Sequence, residues 1–377
     1  MPMPTLLQLA NRMVGNLGTP DPAVKRGRPG EPLARDAGGT MTDRDAWADV
    51  TYETVAPGVH RIPVEMPGEG LAATNVYAVV GDRSVGLVDA GWFAGDAMGD
   101  LERGLAALGA GLGDVGTIVV THIHPDHYTL AVELMRRTRC EILLGSGERH
   151  SLALILDRER GMSEFGVSLQ RCGVPRSMVE SHARSDVDVA LYAEPTGWLH
   201  DGDVVLLGDL EVEAVETPGH TRGHVCFAGD EIGVLFTGDH VLPRITPAVG
   251  SEPTDHLHRS LADYLDSLTR IRRRPDAAML PAHGVAGASV HERVDELLRH
   301  HEIRLDQCGE AVAAGARTAY EVAKQVPWTK RERALDSLGP MDQLMAVQET
   351  RAHLEVLSMR GRVQQAADPD LDVYDLA

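Results

Sequence analysis

The segment Thr121-His122-Ile123-His124-Pro125-Asp126-His127 places four potential metal ligands within six residues, directly behind the apolar run Thr117-Ile118-Val119-Val120. Three imidazoles and a carboxylate at the end of a buried strand suit zinc or another borderline cation. In an extended segment His122 and His124, two apart, point the same way. Pro125 favours an extended or turning backbone, from which Asp126 and His127 turn toward a second ion beside the first. The competing reading, an accidental histidine-rich loop, is weak: the other histidines of the 17 are scattered along the chain.

The same grammar, an apolar strand followed by a polar turn, recurs three times. Thr217-Pro218-Gly219-His220-Thr221-Arg222-Gly223-His224 follows the strand ending near Glu216, Gly238-Asp239-His240 follows Leu235-Phe236-Thr237, and Ala282-His283-Gly284 follows Leu280-Pro281. Short alternating runs at Val59–Val64, Asn75–Val80 and Ser84–Asp89 predict further strands, the last two joined as a hairpin. Helical patterns near 97–108, 129–137 and 257–273 interleave with these runs and with the strands predicted at 141–144, 204–207, 210–216, 224–228, 233–237 and 278–280. The expected architecture is therefore sheet covered by helices, an α/β fold whose four polar loops converge at one sheet edge. After about Ser289 only helical patterns remain, at 290–308, 311–326 and 341–357, with a short extended piece at 361–363. Residues 50–289 are thus expected to form the catalytic domain and 290–377 a small, mainly helical one. Residues 1–49 read as a partly flexible extension: Leu6, Leu9, Met13 and Leu17 are spaced for a short helix, and 18–39 is rich in Gly, Pro, Arg and Asp.

The order H-x-H-x-D-H, then P-G-H-T-x-G-H, then G-D, then a late H-G resembles the metallo-β-lactamase-fold hydrolases over about residues 53–288. The resemblance implies an αββα sandwich with the metals at its edge. It implies His122, His124 and His220 on a first ion, Asp126, His127 and His283 on a second, and Asp239 bridging them. Asp89, in Leu87-Val88-Asp89-Ala90-Gly91, matches a family aspartate that orients ligands. His224 reads as a buried hydrogen-bonding residue, and His240 either reaches the site or steadies its loop. The stretch from Gly238 to Pro247 and the ending Thr318–Ala323 resemble a hydroxyacylglutathione-hydrolase-like subgroup, which carries a winged-helix-like C-terminal domain. Where many relatives have Gly-Gly after the Asp-His pair, this chain has Tyr128-Thr129.

Two divalent ions, zinc first with iron or manganese as alternatives, would lower the pKa of a water from about 15.7 toward 7 and make it the nucleophile. Asp126 is then the expected catalytic orienter or base. The predicted function is hydrolysis of a small-molecule thioester, ester or lactone, with Arg222 and Arg244 candidates for a substrate carboxylate. The alternatives are a phosphodiesterase or endoribonuclease of the same fold and a non-catalytic, metal-dependent scaffold. A net charge of −20 disfavours nucleic acid, and acidic residues outnumber basic ones in 291–377. That tail is expected to pack beside the pocket or form a homodimer surface, with Lys324, Lys330, Arg331 and Arg333 as a solvated basic face. Four dispersed cysteines fit a reducing cytosol, and no apolar stretch predicts a membrane span. A cytoplasmic small-molecule enzyme is the expectation.

Overall fold

Side chains alternate in direction along the strands, and the central strands are buried on both faces, so successive residues enter two different apolar layers. A computed structural model of the chain describes residues 46–67, 71–182, 188–250, 259–329 and 331–377. The helix expected near Leu6–Leu17 and the linker at 18–39 lie outside them. In chain order come β1 (Glu53–Ala56), β2 (Val59–Glu65), β3 (Ala73–Val80), β4 (Val85–Val88), α1 (Ala97–Ala107), β5 (Val115–Val120), α2 (Pro125–Thr138) and β6 (Glu141–Gly145). Then follow α3 (Glu148–Leu156), α4 (Arg158–Arg171), α5 (Arg176–His182), β7 (Gly197–Leu199), β8 (Val204–Leu207), β9 (Leu210–Glu216), β10 (Val225–Gly229) and β11 (Val234–Gly238). The chain ends with α6 (Ser260–Arg273), β12 (Ala278–Pro281), α7 (Val290–Ala313), α8 (Ala319–Gln325), α9 (Pro340–Met359), β13 (Val363–Ala366) and β14 (Val373–Leu376).

β1 to β7 form one sheet in sequence order, and β12-β11-β10-β9-β8 form a second. Tyr77, Val79, Val88 and Val119 from the first sheet meet Val212, Ala214, Phe227, Phe236 and Leu280 from the second in one buried layer. The alternate residues face outward: Val76, Leu87, Ile118 and Val120 pack with Leu101, Leu105 and Leu130 of α1 and α2, while Cys226, Leu235 and Met279 pack under the later helices. Strand alternation thus builds an αββα sandwich.

The sandwich also brings the polar loops together. β10 is antiparallel to β9 and β11, and β11 is parallel to β12, so β9, β11 and β12 run the same way and end on one edge. β4 and β5 are likewise parallel, and the Val225 amide donates to the Thr121 carbonyl at 2.8 Å, tying the two sheets together there.

Two expectations need correction. The helix expected from about Thr129 begins at Pro125, with His124 as its N-cap; proline suits a first helical position because its missing N–H would go unpaired anyway. The helix expected over 311–326 is two: α7 runs to Ala313, the chain turns at Gly315 (φ 102°), and α8 restarts behind a Thr318/Glu321 capping box. Between β6 and β8, where patterning predicts no element, the chain forms α3, α4, α5 and β7.

Near the boundary expected at 290, α7 starts behind Ser289, whose hydroxyl caps it by accepting from the Glu292 amide at 3.1 Å. Beyond it, Val294, Leu297, Leu305, Val347 and Leu354 share one apolar core with Leu261, Leu268 and Met279. α9 buries residues on most of its circumference, as a central core helix does.

Candidate metal centre

Each functional side chain sits within a few residues of the end of a strand. β5 delivers Thr121, His122 and His124, and the first turn of α2 presents Asp126 and His127. The turns after β9, β11 and β12 supply His220, Asp239 and His283. These side chains meet in three overlapping groups able to hold a metal: His122/His124/His220, His122/His127/Asp239 and Asp126/His127/His283. His122 Nε2, His124 Nδ1 and His220 Nε2 form a triangle with sides of 2.9, 3.1 and 3.2 Å. Asp126 Oδ2 lies 3.4 Å from His127 Nε2 and 3.3 Å from His283 Nε2. Asp239 stands between the groups, with Oδ1 3.4 Å from His283 Nε2 and Oδ2 3.6 Å from His220 Nε2.

The donors fit a pair of cations. A tetrahedral ion with bonds of about 2.0–2.1 Å to nitrogen needs donors roughly 3.3 Å apart, close to the separations seen in both groups. His127 Nε2, His283 Nε2 and Asp239 Oδ1 are buried and make no hydrogen bond, a costly state for polar atoms unless a ligand satisfies them.

The opposite ring edges explain why these nitrogens point inward. His220 Nδ1 donates to the Ala248 carbonyl at 2.7 Å and His283 Nδ1 to the Ala73 carbonyl at 2.9 Å. His127 Nδ1 lies 2.9 Å from Asp89 Oδ2, and Asp89 Oδ1 accepts from the Thr121 amide at 2.8 Å. A carbonyl or carboxylate partner puts the ring proton on Nδ1 and leaves Nε2 with its lone pair for a cation. Asp89 therefore stands where an orienting residue belongs.

Electrostatics divide the cluster, disfavouring charge on His122 and His124 and favouring it at His127 beside two carboxylates. Burial, reinforced by the neighbouring imidazoles, holds His122 well below its ordinary pKa. His124 is lowered to about 3, chiefly by burial and then by His220, so both rings are neutral at physiological pH. Burial would lower His127 too, but Asp126 and Asp89 outweigh it and hold this ring well above its ordinary value. Burial would raise the Asp126 carboxyl, yet His127 and His283 keep it well below the usual range.

His224 and His240 stand outside the three groups. His224 Nε2 accepts from the Asp239 amide at 3.2 Å while Nδ1 meets Thr217 Oγ1 at 2.9 Å, so this ring fixes the loop that carries Asp239. His240 packs its ring 4.9 Å from that of Tyr264. Gly238 has φ 48°, and a Cβ there would come within 2.7 Å of both His224 Nε2 and Thr121 Cβ; only glycine fits. Tyr128 is buried in the outer core and donates to the Ala193 carbonyl.

Sequence patterning missed the braces. Tyr264 on α6 donates to the His240 carbonyl at 2.9 Å, and Ser267 donates to the Pro218 carbonyl at 2.9 Å, so one helix clamps two ligand-bearing loops. Glu148 accepts from Thr221 Oγ1 at 2.5 Å. Asn75 Nδ2 donates to the Pro281 and Gly284 carbonyls at 2.8 and 2.9 Å around His283. Tyr264→Phe, which strands the buried His240 carbonyl, is expected to lower the unfolding free energy by about 1–3 kcal/mol in urea titrations. An unchanged midpoint would remove Tyr264 from this role.

The chain belongs to the metallo-beta-lactamase superfamily, whose profile matches residues 70–283. It is similar to a probable metallo-hydrolase, YqjP, of Bacillus subtilis, with 26% identity over 75% of this chain and 86% of that protein. It is 31% identical to the atrochrysone carboxyl ACP thioesterase AgnL7 of Paecilomyces divaricatus, over 44% of this chain and 56% of that protein. Among solved structures, a metallo-beta-lactamase family protein from Thermus thermophilus superposes with a TM-score of 0.70 and 28% identity, covering 86% of this chain and 100% of that one. Among the described residues no helix is long and apolar enough to cross a membrane.

Proposed function

We propose that this superfamily hydrolase is dinuclear and cleaves a small-molecule thioester, ester or lactone. His122, His124 and His220 would hold one ion, Asp126, His127 and His283 the other, with Asp239 shared. When bound, divalent ions supply an acidified water and polarise the scissile carbonyl. The residues themselves pre-set the site: Asp89 and the Ala248 and Ala73 carbonyls fix ring orientation. Asp126, partly exposed and held ionised, accepts a proton or hydrogen bond from an incoming water at its carboxylate.

The observation that carries the reading is the convergence of five imidazoles and two carboxylates, three of the rings tied off at their far edge. A thiol nucleophile is disfavoured, because burial pushes Cys172, Cys226 and Cys308 up to about 12. The acyl-transfer reading is supported by the relative named as a thioesterase. The tail's acidic balance weighs against a polynucleotide substrate. The helices α7 to α9 followed by the β13–β14 hairpin are compatible with the winged-helix-like domain of the hydroxyacylglutathione-hydrolase-like subgroup.

Elemental analysis of protein purified without chelator is expected to find close to two divalent ions per chain, zinc foremost; none would sink the site. A panel of acyl-thioesters, lactones and bis-aryl phosphodiesters should show preference for the acyl substrates. Preference for the phosphodiester instead overturns the bond assignment.

A further inference from the structure

A cavity of about 960 Å³ opens between residues 244–246, α7, residues 327–329 and 331–333, and Glu349. Its first wall is strung between two parts of the metal centre: Arg244 lies between Asp239 and Ala248, whose carbonyl holds His220. In a chain of net charge −20, the cavity gathers Arg244, Arg304, Arg331 and Arg333 against Glu332 and Glu349.

The four guanidinium groups are not equivalent. Arg304 is buried and spent on the fold: it donates to the Pro327 carbonyl at 2.7 Å and to Gln307 at 3.1 Å, and lies 4.4 Å from the Trp328 ring centre. Arg333 donates to Ser337. Arg244 and Arg331 are exposed at the cavity, and their guanidinium groups have no ion-pair or hydrogen-bond partner among the described residues. Burial raises the Glu349 carboxyl, which reduces its opposition to an anion. Ile245, Ile303 and Trp328 add apolar wall. Of the two arginines that sequence analysis placed beside metal loops, Arg222 lies with its backbone against Gly147, whereas Arg244 reaches the cavity. Arg331, read there as part of a solvated basic face, lines it too.

We propose that this cavity seats the anionic tail of an amphipathic substrate, a phosphate or carboxylate gripped by Arg244 and Arg331 with its apolar spacer along Ile303 and Trp328. Guanidinium forks pair bidentately with both anions, and the volume suits a large organic ligand. The inference rests on the hydrolase reading for the tail's role, although binding itself is independent of it.

Calorimetric titration of the full-length protein with coenzyme A and, separately, with dodecanoate tests the pocket. At least one probe is expected to bind, more weakly as salt rises, and to lose at least roughly tenfold in affinity in Arg244→Ala and in Arg331→Ala. Stronger binding of coenzyme A identifies a phosphate tail; stronger binding of dodecanoate identifies a carboxylate tail. Failure of the wild type to bind either probe, or unchanged affinity in both variants, overturns the proposal. In a second arm, the kcat/KM ratio of an acyl-coenzyme A to its truncated N-acetylcysteamine thioester should favour the anionic carrier and fall about tenfold in each variant. If neither thioester is hydrolysed while probe binding remains arginine-dependent, the bond assignment fails and the pocket stands. Hydrolysis of both at equal efficiency in the wild type, with no probe binding, sinks the pocket alone.

Discussion

Asp239→Asn is expected to lower turnover by more than roughly 10³-fold and to cut bound metal to one ion per chain or fewer. The two oxygens of Asp239 face different groups, Oδ1 toward His283 and His127 and Oδ2 toward His220. Asparagine has the same shape, so packing is retained. It removes one of the only two negative charges in the ligand set, however, and turns an amide N–H₂ toward a cation. Metal analysis, turnover and a thermal melt on the same preparation check this. Full metal content with ordinary turnover would falsify the bridging role.

Asp89→Asn provides the contrast. Asp89 touches no expected ion position; it holds His127 through Nδ1 and the strand end through the Thr121 amide. Loss of such a partner typically costs about 10–100-fold in metal affinity or activity, so Asp89→Asn should recover in excess zinc where Asp239→Asn does not. Equal losses without recovery would place Asp89 on the metal itself.

The residues that the fold brings together were legible because they lie just behind apolar strand ends, four of them behind β5 and one each behind β9, β11 and β12. His122 and Asp239 need nothing distant to be noticed. The braces are a different matter: Tyr264 reaches His240, Asn75 reaches Pro281 and Glu148 reaches Thr221 across 24, 206 and 73 residues. No local pattern links those pairs, and a tyrosine on an amphipathic helix reads only as core. Pro125 misled for a definite reason, since the bias against helix falls on the residue before proline, His124, and proline itself can open one. The tail's helices were visible as elements, while their shared core with α6 and β12 depends on packing that periodicity does not report.

Acid is expected to destabilise the metal-free protein steeply, partly through a histidine pair far from the ligand loops in sequence. His353 Nδ1 donates to the Glu349 carbonyl at 2.7 Å, so its Nε2 is the acceptor for His301 Nδ1 at 3.2 Å. The shared bond therefore needs His353 neutral, while burial opposes charge on His301. Tyr264, Arg304, His300 and Glu349 surround the pair. Burial lowers His353 to about 3 and His301 well below its ordinary value, with His353 and His300 adding to the effect on His301. In the unfolded chain both titrate near 6.5. Below that pH the unfolded state binds protons that the folded state refuses. Stability is thus full above about pH 6.5 and declines as pH falls toward the folded pKa values, by about 1.4 kcal/mol per pH unit for each proton. His122, His124, His224 and His240 act in the same direction, so the pair must be isolated by substitution. Replacing both rings by leucine leaves no half of the hydrogen bond unsatisfied. Urea unfolding of chelator-treated protein between about pH 7 and 4.5 should then show a shallower loss in the His301→Leu/His353→Leu double variant, the difference approaching about two protons. Parallel slopes in the two proteins would mean that these rings already carry charge in the native state, and the neutral-pair assignment would fall.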